Sequence, residues 1–304
     1  MKKFLSSICL TLVVSLGFAQ QDAQFSQYMF NPFVLNPAYA GSREAFTALA
    51  INRNQWINIP GAPNTQTLSL NTPLTTRVGV GLQVFNDAIG PKNSVGYLAS
   101  YAYRIPLSVG KLAFGLRAGG ITYNFHWDKI DYKDQADVYN FNSRTQTTVF
   151  NADFGLFYNT KKFYTGLSAN HIGYAQRITP VKLEGIESHL RMHFFYTLGN
   201  TFEINDRLAL QPSILIKAVE NAPLSTDLNV NLIIDHKVWV GVSFRPKNSV
   251  VLLTQFRINE NFRFGYSYDI GINRIGRLAR GSHELFIGYD FNLRKVKSIS
   301  PRYF

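Results

Sequence analysis

Arg77-Val78-Gly79-Val80-Gly81-Leu82-Gln83-Val84 decides the fold. Val78, Val80, Leu82 and Val84 are apolar and alternate with Arg, Gly, Gly and Gln, so an extended chain here has one oily face and one small or polar face. The alternation recurs downstream. Leu112, Phe114, Leu116 and Ala118 alternate with Ala113, Gly115, Arg117 and Gly119, and Phe150, Ala152, Phe154, Leu156 and Tyr158 with Asn151, Asp153, Gly155, Phe157 and Asn159. Near the end, Phe262, Phe264, Tyr266 and Tyr268 alternate with Arg263, Gly265, Ser267 and Asp269, and Leu285, Ile287, Tyr289, Phe291 and Leu293 with Phe286, Gly288, Asp290 and Asn292. This period predicts strands at 44–52, 65–72, 77–86, 93–105, 111–125, 149–159, 162–171, 190–204, 207–219, 224–234, 237–245, 249–258, 261–270 and 283–293. That makes about fourteen, an even number.

Short polar turns fall at 159–161, 205–207, 235–237 and 259–261, as tight hairpins require, while 53–64, 126–148, 172–189 and 271–282 are long. A soluble sandwich would also alternate, but its outer face would carry many Lys, Glu and Asp. Here the face opposite the oily one is largely Gly, Ser, Asn and aromatic. Its charges are Arg117, Asp153, Lys217, Asp227, Arg245, Arg257, Arg263, Asp269, Glu284 and Asp290, five basic and five acidic, as expected of a charge-balanced lumen. The expected fold class is therefore all-β: a transmembrane antiparallel up-and-down β-barrel with short periplasmic turns and long extracellular loops.

Composition agrees. Of 304 residues, 46% are hydrophobic and only 16% charged, and Phe, Tyr and Trp number 24, 16 and 3. About a quarter charged is usual, so neither disorder nor a typical soluble enzyme fits. The single Cys, at position 9, excludes an internal disulfide, and no Cys/His spacing suits zinc. Met1-Lys2-Lys3, the apolar run Phe4 to Gly17 and the small-x-small Gly17-Phe18-Ala19 read as a signal peptide over 1–19. Its removal would take the net charge from +12 to 12 − 2 = +10. After Ala19 no window approaches the ~20 apolar residues of a spanning helix. The remaining divisions are an N-terminal irregular segment at 20–43, the barrel at 44–293 and a basic periplasmic tail at 294–304.

Catalytic chemistry finds no support. His189 and His193 are the closest pair of histidines, and four strand residues would hold them about 13 Å apart, too far to share an ion. Gly166-Leu167-Ser168, Gly241-Val242-Ser243 and Gly265-Tyr266-Ser267 each lack the closing Gly of a nucleophile elbow. No catalytic residue, metal site or cofactor is expected. The basic residues are scattered through turns, the 271–282 loop and the tail, without a stacking platform, so nucleic acid is not expected either. Lipopolysaccharide phosphates or acidic partners suit them better.

Gln24-Phe25-Ser26-Gln27-Tyr28-Met29-Phe30-Asn31-Pro32, followed by Leu35-Asn36-Pro37-Ala38-Tyr39-Ala40-Gly41-Ser42, resembles the N-terminal signature of the PorP/SprF family associated with the type IX secretion system of Bacteroidota. Arg53-Asn54-Gln55-Trp56, Pro60-Gly61-Ala62-Pro63-Asn64-Thr65-Gln66, Asn86-Asp87-Ala88-Ile89-Gly90-Pro91, Leu112 to Leu116, Asp227-Leu228-Asn229, Trp239 to Ser243, Gly265 to Asp269 and Gly281 to Glu284 extend the likeness over the mature chain. The resemblance implies an outer-membrane barrel, an accessory or core part of type IX secretion. Its implied partners are secretion components or the C-terminal domain of an exported adhesin, gliding adhesins included, beside outer-membrane lipid and lipopolysaccharide. The runner-up function is a porin or substrate-specific channel.

Asn31-Pro32 and Asn36-Pro37 disfavour helix and sheet, so 20–42 should be ordered and irregular. Its aromatics Phe25, Tyr28, Phe30 and Tyr39 suit either a lumen plug or a segment that docks a partner, and both readings stay open. Arg53, Trp56, Pro60 and Gly61 are placed in the first long loop. Trp56 suits either an aromatic girdle or a partner anchor. The partner-binding candidates are thus Phe25, Tyr28, Asn36, Pro37, Arg53, Trp56, Pro60 and Gly61.

Overall fold

A computed structural model describes residues 23–133, 143–172, 191–220 and 222–291. The expected signal peptide and basic tail, the centres of two long loops and His189 lie outside them. Fourteen strands cross: β1 (Phe46–Asn54), β2 (Asn64–Pro73), β3 (Val78–Ile89), β4 (Lys92–Pro106), β5 (Lys111–His126), β6 (Arg144–Asn159), β7 (Phe163–Asn170), β8 (His193–Asn200), β9 (Leu208–Val219), β10 (Ser225–Ile234), β11 (Val238–Arg245), β12 (Ser249–Arg257), β13 (Phe262–Gly271) and β14 (Ser282–Phe291). Each pairs antiparallel with the next, and β1 closes on β14 with Phe46 opposite Phe291 and Arg53 opposite Glu284. Closure leaves no open edge, the condition for a sheet in lipid.

The oily positions face out. Leu82, Tyr97, Phe114, Leu116, Phe150, Phe154, Tyr266, Leu285, Ile287 and Tyr289 are all exposed, forming the band that lipid covers. Among the described residues no helix is long and apolar enough to cross a membrane. The strands do the crossing.

Besides shifts of one to three residues at several strand ends, three features differ from the sequence reading. β6 begins at Arg144, ahead of the expected 149, because Thr145 to Thr148 pair with Thr122 to Phe125 where the hairpin projects past the oily band and apolar alternation is not needed. The expected strand 190–204 is interrupted at Thr201, whose N–H donates to the Lys162 carbonyl at 2.8 Å, and resumes as Phe202–Glu203 against β9. The 271–282 loop holds a short helix, Arg274–Leu278, capped by Asn273 through its side chain to the Gly276 N–H at 2.7 Å.

The connections β2–β3, β4–β5, β6–β7, β8–β9, β10–β11 and β12–β13 lie at one end and are all short; the long connections 55–63, 127–143, 171–192 and 272–281 lie at the other. Short turns face the periplasm in such barrels. Epitope tags inserted within 128–146 should therefore be accessible on intact cells, whereas tags at 160–161 or 259–260 should need a permeabilised outer membrane. The opposite pattern would reverse the orientation.

Candidate functional site

The N-terminal segment folds as three 3-10 turns, Tyr28–Phe30, Pro32–Val34 and Pro37–Tyr39. Pro32 and Pro37 open two of them, where a fixed φ helps and the missing N–H costs nothing. Asn36 caps the third by accepting from the Ala38 N–H at 2.9 Å. Residues 26–41 are buried throughout, and their partners come from strands all round the barrel. The segment fills the lumen.

Its anchors, in chain order, run from the long-loop mouth to the short-turn mouth. At the long-loop end, the Ser26 and Gln27 N–H groups donate to the two oxygens of the Glu284 carboxylate at 2.8 and 2.9 Å. The Ser26 hydroxyl donates to Asp269 at 2.8 Å and accepts from Arg53 at 2.9 Å. Arg53 bridges Asp269 at 2.7 Å and Glu284 at 3.1 Å. Deeper, Asn31 donates to Ser69 at 3.3 Å, Arg117 to the Phe33 and Val34 carbonyls, and Ser168 to the Leu35 carbonyl at 2.8 Å. Asn36 donates to the Leu156 and Leu167 carbonyls at 2.8 and 3.2 Å. At the short-turn end the Gly41 N–H reaches Asn71 at 2.9 Å and Arg43 pairs with Asp290 at 3.1 Å. An irregular chain can be buried because its polar groups are met in this way.

Inward glycines make the seat. A Cβ on Gly115 would overlap Ala38, and one on Gly155 would overlap Asn36. The segment lies against the bare backbone there. Around it the inner wall carries Leu49, Ile51, Leu215, Ile233, Trp239, Leu253 and Phe286, which pack with Tyr28, Met29, Phe30, Val34 and Leu35 into one apolar cluster. The lumen is therefore a core as well as a charge network. The alternation places aromatics such as Phe286 on this face; the aliphatic Leu49, Ile51, Leu215, Ile233 and Leu253 join them, because an aromatic segment needs apolar partners.

Nine of the ten charges assigned to the lumen form ion pairs between strands. Arg117 lies opposite Asp153 at 3.6 Å; Arg245 holds Asp227 with two bonds of 3.0 Å; Lys217 reaches Asp227 at 3.0 Å; Arg263 reaches Asp290 at 3.0 Å. Asp269 and Glu284 pair with Arg53. Arg257, half-buried, lies over the Trp239 ring at 5.3 Å. Arg53 itself is a correction: it belongs to β1, faces inward and is 1% exposed, so it is a structural ion pair and cannot touch a partner in this state. Tyr28, Asn36 and Pro37 are likewise buried within the lumen. Phe25 is half-buried, Trp56 half-buried with its backbone N–H donating to the Ser282 hydroxyl at 3.1 Å, and Pro60 and Gly61 are exposed at the long-loop mouth.

Sequence reasoning missed Arg43 and Arg104, buried where the segment leaves the lumen; neither belonged to the alternating runs examined as lumen charges. It also missed that His171 and His193, at the facing ends of β7 and β8, come together with ring centroids 5.5 Å apart. Among the described residues no three His, Cys, Asp or Glu side chains converge as metal ligands. A cavity of about 300 Å³ opens at the long-loop mouth between Ala23, Trp56, Lys92 and Asn273.

A closed antiparallel barrel with an oily outer band, its lumen filled by its own N-terminal segment, is an outer-membrane protein. The chain belongs to the family described as type IX secretion system membrane protein PorP/SprF, whose sequence model matches residues 17–289. No curated protein matches the sequence. Among solved structures it is similar to the Ralstonia pickettii toluene transporter TbuX, with a TM-score of 0.51 and 9% identity over 87% of this chain and 92% of that one. It is also similar to the Acinetobacter baumannii outer membrane protein Omp33, with a TM-score of 0.46 and 9% identity over 82% and 97% of the two chains. At such identities the likeness is one of fold. The chain is thus an outer-membrane barrel associated with type IX secretion.

Proposed function

We propose that this barrel is a non-enzymatic binding component of type IX secretion, holding a secretion component or the C-terminal domain of an exported adhesin so that the cargo is exported or kept at the cell surface. A gliding adhesin is one such cargo. The observation that carries the reading is the filled lumen. A barrel whose interior is packed with its own chain acts through surfaces, and those are its loops, its mouths and its tail. Phe25, Trp56, Pro60 and Gly61 are the candidate contacts on the long-loop side, and the exposed Arg274, Arg277 and Arg280 suit lipopolysaccharide phosphates or an acidic partner.

Native purification should recover a type IX component or an adhesin C-terminal domain with the barrel. Deleting the gene should stop export or surface retention of that cargo and leave permeability to small solutes unchanged. A deletion strain that secretes every type IX cargo normally but loses uptake of one nutrient would establish the channel reading instead.

A further inference from the structure

β1 starts at the short-turn end, where Phe46 faces Phe291, and reaches the long-loop end at Asn54. The segment ahead of it runs the other way inside the barrel. Arg43 and Gly41 are held beside Asp290 and Asn71 near the short turns, whereas Ser26 and Gln27 are held by Asp269 and Glu284 near the long loops. Ala23 lines the long-loop cavity with Trp56. The path is long enough: from Phe46 to Arg53 the strand covers roughly 25 Å, and the larger number of residues between Ser26 and Ala45 spans it even in compact 3-10 turns of about 2 Å per residue.

We propose that the N-terminal segment is threaded outward through the barrel, so that Ala23 lies at the mouth that opens on the outer surface of the cell, opposite the side on which β1 begins. Two consequences follow physically. The lumen is packed around the segment, so the segment and the inner wall reach their native packing together. Ala23, with Trp56 and the cavity beside it, then forms part of the face that an exported polypeptide meets. That last step rests on the binding reading above; the direction of threading does not.

Single cysteines test the direction, since the only native Cys, at position 9, lies in the expected leader. Ala23→Cys, Pro60→Cys at the long-loop mouth and Lys161→Cys in a short turn would each be treated with a membrane-impermeant maleimide in the full chain on intact cells. Ala23→Cys should label with Pro60→Cys, and Lys161→Cys only after permeabilisation. In a separate Asn31→Cys/Ser69→Cys chain, whose native side chains meet at 3.3 Å, a short bifunctional thiol reagent should link the two cysteines and show the segment inside the barrel. Labelling of Ala23→Cys only after permeabilisation, or no labelling where Pro60→Cys reacts, overturns the proposal whatever the cargo experiments show.

Discussion

Liposomes carrying the intact chain are expected to retain small solutes, and those carrying a chain without residues 23–42 to leak them ~10-fold faster or more, since fourteen strands lies near the size at which an unfilled barrel passes water. The inner wall supports this expectation. Gly79, Gly81, Gly115 and Gly155 have no side chains to fill the space that Phe33, Asn36, Ala38 and Ala40 occupy. Liposome swelling and single-channel conductance measure the effect. The deletion also removes apolar partners of Leu49, Ile233 and Trp239, so folding is checked by the shift of unheated protein on gels. The cross-linked Asn31→Cys/Ser69→Cys chain serves as a second probe and should be as tight as the parent. A folded deletion variant with unchanged flux, or a large ungated conductance in the intact chain, sinks the plug.

Glu284→Ala should destabilise the barrel by about 3–5 kcal/mol, the usual consequence of removing one partner from a buried ion pair. Glu284 is wholly buried; without it Arg53 keeps only Asp269 among its carboxylates, and the Ser26 and Gln27 N–H groups lose their acceptor. The ion pair itself adds little net stability, because desolvating both charges offsets most of their attraction. The double variant Arg53→Met/Glu284→Met should therefore lose less than the sum of the two single variants. Urea unfolding in lipid vesicles measures Glu284→Ala, Arg53→Met, Glu284→Met and the double variant. Additivity within about 0.5 kcal/mol would mean that the two residues act independently.

The strand count, the outward face and the side on which the long loops lie were legible in the sequence. Each is a local property. Val78 to Val84 or Phe262 to Asp269 alternate because neighbouring residues on an extended chain point to opposite faces, and a turn such as Asn205-Asp206-Arg207 is set by its own few residues. The ends of β6 were less legible, because Thr145 to Thr148 lie beyond the oily band and carry no apolar period. Charges on the inner face could be named from the same alternation, but their pairing could not.

Only the tertiary structure decided what fills the barrel. Arg53 meets Asp269 and Glu284 across 216 and 231 residues of sequence, and these contacts exist only once β1 has closed on β14. That closure moves Arg53 from an expected loop contact to a buried ion pair. It also selects the plug position for residues 26–41, since their backbone groups can be buried only where the inner wall supplies partners for them. Alternation is written between adjacent residues, whereas the direction of the segment through the lumen depends on groups that folding alone brings within reach.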